Sequence, residues 1–320
     1  MSESDGRPGP ARDRRSFLAT AGAVGAASVG VGLAGCLGSS ERVSVLAAGS
    51  LAVVFEDAIG QTFEAETDAA YQGEYHGANA VMRMVEGGRK HPDVVVSADV
   101  DLLRDRLYPD HATWDVEFAA NEVGIAYDPD TDLGERLEAG EPWYEVFADA
   151  GDDEIAISDP DLDPLGYRAL HLFELAAEEH DLPDFREELL ETVYREPNEP
   201  ALLEGVDSGN RACAVAYRNM AVEHDVPFLE LPDAYNFGNP DPEYESRYAE
   251  ATYETDEGYE TTGSPVIYNA TVRRDCDNPD GGEAFVRHLL ESSADLEERG
   301  FRVPAALPRS HDEVPEGVVP

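Results

Sequence analysis

Three short stretches of this sequence place hydroxyl groups and small residues where anion chemistry would need them. They are Ala48-Gly49-Ser50-Leu51, Tyr75-His76-Gly77-Ala78-Asn79 and Asp163-Pro164-Leu165-Gly166-Tyr167. Each follows an apolar run and precedes a helical pattern, so each predicts a helix N-terminus. Unpaired N–H groups and the positive end of the helix dipole meet there, and both favour anions. Ser50 can donate its hydroxyl together with the N–H groups of Ser50 and Leu51; read alone, it also fits a plain helix cap. Such a site needs no Lys or Arg.

Other chemistries find little support. There is no Gly-x-Ser-x-Gly and no His-Glu-x-x-His, so neither a nucleophile elbow nor a zinc-protease helix is present. The eight His are scattered without His-x-x-His or Cys-x-x-Cys spacing. Asp159 to Gly166 imitates a calcium loop, but Pro164 stands where the loop needs Gly and Leu170 where it needs Glu. Cys213 and Cys276 each lie near an apolar stretch and read as unpaired thiols. These residues point to a binding protein rather than an enzyme, with no resident cofactor.

The elements that must position these loops alternate. Val43–Ala47 is a short buried strand, and Leu51, Val54, Phe55, Ala58, Ile59 and Phe63 repeat at helical spacing behind it. Ser50 is placed to cap that helix. A run near Ala69–Glu74 leads to a helix carrying Val81, Met82 and Val85, and His91–Val96 forms the next strand. The pattern is β-α-β-α-β, which implies a parallel sheet with crossover helices. It resumes with Val123–Tyr127, Ile155–Ile157, a long helix after Asp163-Pro164, a short helix at Glu199–Glu204 and the strand Cys213–Tyr217. Ligands of such sheets sit beyond the carboxyl ends of strands. That rule puts Ser50, His76–Asn79, Ser97, Asp163–Tyr167 and Tyr217 on ligand-facing loops. The acidic, Tyr-rich stretch Pro240–Gly263 fits no element.

The chain has 320 residues, 68 Asp and Glu against 23 Lys and Arg, and a formal charge of −45; Lys90 is its only lysine. That charge excludes a nucleic-acid partner, which would need Lys and Arg against phosphates. With 42% hydrophobic residues the chain can still bury a core. Such acidity fits life at high salt, where acidic side chains hold water and salt screens their repulsion.

The N-terminus reads as an address. Arg14-Arg15-Ser16-Phe17-Leu18 opens an uncharged segment rich in Ala, Gly and Val, which closes on Leu33-Ala34-Gly35-Cys36. It resembles a twin-arginine signal peptide ending in a lipobox. Residues 1–35 would be removed, Cys36 lipidated, and 36–42 left as a tether at the outer face of the cell membrane.

Several motifs occur in order: Ala48-Gly-Ser-Leu51, Pro92-Asp-Val-x-x-Ser-Ala-Asp99, Asp163-Pro-x-Gly-Tyr-Arg168, Tyr217-Arg218-x-x-Ala221-x-x-His224, Glu230-Leu-Pro232 and Pro265-Val-Ile-Tyr268. Together they resemble the archaeal molybdate/tungstate-binding proteins, the substrate-binding subunits of ABC importers. The resemblance covers roughly Val43 to Leu307 and implies a periplasmic-binding-protein fold of type II. Two α/β lobes (43–120 with 266–320, and 121–265) would close a cleft over a tetrahedral oxyanion. Ser50, Gly77 and Ala78 would come from one lobe, and Asp163, Gly166, Tyr167 and Tyr217 from the other. It further implies a monomer whose partners are a permease and its ATPase.

In that family, carboxylates can approach the metal itself. Asp163 matches one such position, while the second, just before the Tyr-Arg pair, is Ala216 here; Glu230 and Glu204 are the candidate substitutes. A carboxylate facing an oxyanion is repulsive unless it binds something. Mo(VI) and W(VI) accept further oxygen ligands and sulfur in sulfate does not, so Asp163 as a ligand would select against sulfate. Sulfate, phosphate or ferric-ion capture, and an exported enzyme, are the alternative readings.

Overall fold

The computed structural model describes residues 42–197 and 199–319. The expected export signal, Cys36 and the tether up to residue 41 lie outside the described residues. The strands in chain order are β1 (Arg42–Ala48), β2 (Ala70–His76), β3 (Val94–Ser97), β4 (Asp115–Ala120), β5 (Val123–Tyr127), β6 (Ile155–Ser158) and β7 (Tyr194–Glu196). They continue with β8 (Cys213–Tyr217), β9 (Phe228–Leu229), β10 (Thr252–Glu254), β11 (Glu260–Thr262), β12 (Ile267–Val272) and β13 (Arg309–His311).

Two large sheets result. The first has the order β13-β4-β12-β3-β1-β2, the second β7-β6-β8-β5-β9, and β10-β11 is a separate hairpin. β1 runs parallel to both β2 and β3, so each connection crosses the sheet through a helix. β12 returns antiparallel between β3 and β4. In the second sheet β6 is parallel to β7 and β8, and β5 is antiparallel to β8. Central strands covered on both faces read as unbroken apolar runs. β3, Val94-Val95-Val96-Ser97, is buried throughout, as is β8.

The chain passes between sheets at Asn121-Glu122 and returns near Val266. The crossings are tied together: Asn121 N–H donates to Val266 O at 3.0 Å, and Val266 N–H to Phe237 O at 2.8 Å. Buried Glu122 is held there by Arg302 Nη2 at 2.7 Å. This is the place for a two-lobe hinge.

The loops of interest all leave the carboxyl ends of parallel strands. Helices begin there at Gly49 after β1, Ala78 after β2, Val100 after β3, Pro164 after β6 and Glu199 after β7. The long helix Pro164–His180 has Asp163 as its cap and Pro164 in its first turn, where a missing N–H costs nothing. One expectation needs correction. Ser50 caps no helix, because the chain turns from β1 straight into a 3-10 turn, Gly49–Leu51, with Ala48 at the cap position. Near the C-terminus two helices follow one another, Pro279–Glu291 and Ser293–Glu298. Cys213 and Cys276 are free thiols. The stretch Pro240–Gly263 resolves into the helix Pro242–Tyr248 and the β10-β11 hairpin.

Candidate functional site

Where the two sheets face each other, polar side chains are buried in one connected group. Asp163 is fully buried. Its Oδ1 accepts the Gly166 N–H at 3.0 Å, and its Oδ2 accepts a short hydrogen bond from the Ser158 hydroxyl. Glu199 opens the helix Glu199–Asp207 and is 1% exposed. Its Oε2 accepts the Ser50 N–H at 2.8 Å, while its Oε1 has no partner among the described residues. A buried carboxylate oxygen without a donor is costly unless something else occupies it.

The two carboxyl groups act on each other. Burial pushes Asp163 up to about 6, against the opposing pull of Ser158 and the Gly166 backbone. Burial first, and then the charge of Asp163, pushes Glu199 well above the ordinary carboxylate range. Burial therefore disfavours the ionised form of both carboxyl groups.

Donors surround the pair. Ser50 Oγ lies 3.2 Å from Tyr268 OH, and Asn121 Nδ2 donates to the same phenol at 3.3 Å. Asn219 Nδ2 donates to Ser50 O at 2.8 Å and Asn121 Nδ2 to Asn219 Oδ1 at 2.7 Å, which fixes the Ser50 turn. The Tyr217 ring meets Tyr268 edge-on at 6.3 Å, and Tyr217 OH accepts from Arg168 Nη1 at 2.7 Å.

Arg168 is the clamp. It is 1% exposed, donates to Ala98 O at 2.9 Å and to Asp99 Oδ2 at 2.8 Å across the cleft, and reaches Tyr217 on its own side. Tyr167 OH also donates to Asp99 Oδ2, at 2.8 Å. Gly77 and Ala78 start the facing helix. A Cβ on Gly77 would stand 2.4 Å from Leu162 O and 2.5 Å from Asp163 Cβ, so only glycine lets the lobes meet here. The seam is completed by Ala80 N–H to Leu162 O and Asn79 Nδ2 to Asp161 O, both 3.0 Å.

Of the residues singled out from sequence, Ser50, Asp163 and Tyr217 enter this group with their side chains. Gly166 serves it by holding Asp163, and Gly77 and Ala78 form the opposing wall. Tyr167 spends its hydroxyl on Asp99. The other buried carboxyl group that interacts with Asp163 is Glu199. Glu230 is an exposed residue near Arg218, and Glu204 faces solvent. Ala216 is buried in β8 and carries no donor. Sequence reasoning also missed Arg168, Asp99, Tyr268, Asn121 and Asn219. The signal for Glu199 was the strand-end rule itself, hidden because β7 is only three residues long.

A model of the bacterial extracellular solute-binding protein family matches residues 43–302. The chain belongs to that family. This solute-binding protein is 37% identical over 308 residues to a provisionally named ABC transporter molybdenum-binding protein of Haloferax volcanii, covering 94% of this chain and 95% of that one. It is 27% identical over 297 residues to the molybdate/tungstate-binding protein WtpA of Thermococcus kodakarensis, covering 80% and 83%. Among solved structures, the periplasmic molybdate-binding protein of Azotobacter vinelandii superposes with a TM-score of 0.61 at 14% identity, covering 82% of this chain and 99% of that one. That likeness establishes the two-lobed periplasmic-binding-protein fold.

Proposed function

We propose that this solute-binding protein captures molybdate or tungstate outside the cell and delivers it to the permease and ATPase of an ABC importer. The names carried by its relatives in Haloferax volcanii and Thermococcus kodakarensis support the ligand class. The observation that carries the reading is the buried pair Asp163 and Glu199, set among the donors of Ser50, Tyr217 and Tyr268. While ionised, such a pair meets only repulsion from a tetrahedral sulfate. Molybdenum or tungsten offers it a centre that accepts two more oxygen ligands, so the carboxylates turn from obstacle into selector. The lobes are assigned to 43–120 with 266–320 and to 121–265. The site residues are Ser50, Gly77, Ala78, Asp163, Gly166, Tyr167 and Tyr217, with Glu199 added. The anchor is a lipid on Cys36, and the working form is a monomer.

Titration calorimetry in concentrated potassium chloride tests this with tungstate, molybdate, sulfate and phosphate. Tungstate and molybdate should bind, and sulfate and phosphate should give no measurable heat. Sulfate binding as tight as tungstate binding overturns the reading. Release of a Cys36→Ser variant into the medium tests the anchor.

A further inference from the structure

The β10-β11 hairpin carries chemistry that the site itself does not use. Its base belongs to the second lobe. Thr261 Oγ1 is hydrogen-bonded to His171 Nε2 at 3.2 Å, in the middle of the helix that Asp163 caps. Burial pushes His171 down to about 3, so the imidazole is neutral and the contact carries no charge. Two further bonds reach the loop before that helix: Tyr253 OH donates to Asp161 Oδ1 at 3.1 Å and the Asp256 N–H to the same oxygen at 2.8 Å. Hairpin, loop and helix are thus one body.

The tip belongs to the seam. Gly258, at φ +81, makes the turn that a side chain would strain. The Thr255 N–H closes it onto Tyr259 O at 2.9 Å, and the Gly258 N–H donates to Thr255 O at 2.8 Å. The turn presents two groups to the opposite lobe. Glu257 pairs with Arg83 Nη1 at 2.7 Å, and the Tyr259 ring lies under Arg106, 5.2 Å from its centroid, with its hydroxyl donating to Asp105 at 3.4 Å. Arg106 also donates to Asn79 Oδ1 at 3.0 Å, and Asn79 is the residue that grips Asp161 O. Two of the chain's scarce cations are therefore spent on one acidic, aromatic turn.

We infer that the hairpin 252–262 is a latch over the cleft, and that Tyr259 and Glu257 are positioning residues that govern release of the bound ion by holding the Asp161–Asp163 loop against the first lobe. They touch no ligand and act through Asp161. Formed after the lobes meet, the latch slows departure and leaves arrival nearly unchanged. Arg stacked on Tyr keeps much of its strength in salt, whereas the Arg83–Glu257 pair, exposed on its Glu257 side, is screened.

The experiment rests on the tungstate reading above and separates its failure from that of the latch. The full chain is compared with Tyr259→Ala, Arg83→Glu and the reversed pair Arg83→Glu/Glu257→Arg. Tungstate release is followed by competition, association by stopped flow, and melting without ligand as the folding control. Tyr259→Ala should release tungstate about tenfold faster, with association within about twofold of the parent. Arg83→Glu should speed release about fivefold in low salt, and the reversed pair should restore it. Unchanged release in both Tyr259→Ala and Arg83→Glu overturns the latch while leaving the ligand reading intact. If the parent binds no tungstate, the ligand reading falls, and small-angle scattering of the ligand-free chains decides. A larger radius for Tyr259→Ala upholds the latch, and equal radii overturn it.

Discussion

Replacing Glu199 by Gln keeps the shape of the side chain and removes one of two buried ionisable carboxyl groups. Its carbonyl can still accept the Ser50 N–H that Glu199 Oε2 now accepts at 2.8 Å. Burial and the charge of Asp163 both penalise the ionised form of Glu199, and that penalty grows as pH rises above the ordinary glutamate value near 4.3. Gln avoids that cost, but its amide N–H group inherits the unpartnered place of Oε1, worth about 1–3 kcal/mol against it. The ligand-free variant should therefore start about 1–3 kcal/mol below the parent at low pH and gain on it as the ionised form of Glu199 becomes costly to the parent. The sign with pH follows from the direction of the shift. Glu199 is raised in the folded state, so its penalty is absent below the unfolded value near 4 and grows as pH rises above it. Near pH 4 only the orphaned amide counts, so the Glu199→Gln variant should melt below the parent there and pass above it toward pH 7.5. Tungstate affinity should fall about a hundredfold, or roughly 2.7 kcal/mol. The assays are thermal unfolding across that pH range in concentrated salt and calorimetry at pH 7.5. A Glu199→Gln variant that melts lower at every pH, or binds tungstate like the parent, refutes the reasoning.

Three other outcomes are expected. Gly77→Ala inserts a methyl 2.4 Å from Leu162 O; overpacking of about 1–3 kcal/mol should fall on the closed state, so affinity drops at least about tenfold while ligand-free melting holds, and titration calorimetry with scanning calorimetry checks both. Arg168→Lys cannot serve Ala98, Asp99 and Tyr217 together; leaving buried Asp99 half-paired costs about 3–5 kcal/mol, and small-angle scattering should show a more open liganded form. Lowering salt, with the fold verified by circular dichroism, should weaken tungstate binding; tighter binding there contradicts the screening argument.

The sequence made the parallel units legible because their strands, such as Val94-Val95-Val96, are unbroken apolar runs and their helices repeat at 3.6 residues. It could not show β7, whose three residues Tyr194–Glu196 lack both length and alternation. Without β7, Glu199 looked like an arbitrary acid in an acidic chain. Arg168 stood inside a motif that was read for Asp163 and Tyr167, and its role depends on Ala98 and Asp99, some seventy residues away. Contacts between lobes leave no local period to detect. The hairpin 252–262 was opaque for the same reason: its two three-residue strands are stabilised by Asp161, His171 and Arg106, all distant in sequence.

How a chain of charge −45 could hold a dianion resolves at two distances. Far from the cleft the protein's field repels the ion, but in molar salt that field fades within about 3 Å. Only contact chemistry is left to decide binding. At contact the site offers no free cation among the described residues, because Arg168 is already neutralised by Asp99. It offers hydroxyl and N–H donors to the outer oxygens, and two carboxylates to whatever lies at the centre. The outer oxygens of sulfate and tungstate make nearly the same demand on the donors. The centres do not, since only the metal can accept carboxylate oxygen. On the proposed reading, selectivity comes from the two carboxyl groups least suited to an anion site, and the acidity of the chain is compatible with such a ligand because attraction is required only at bonding distance.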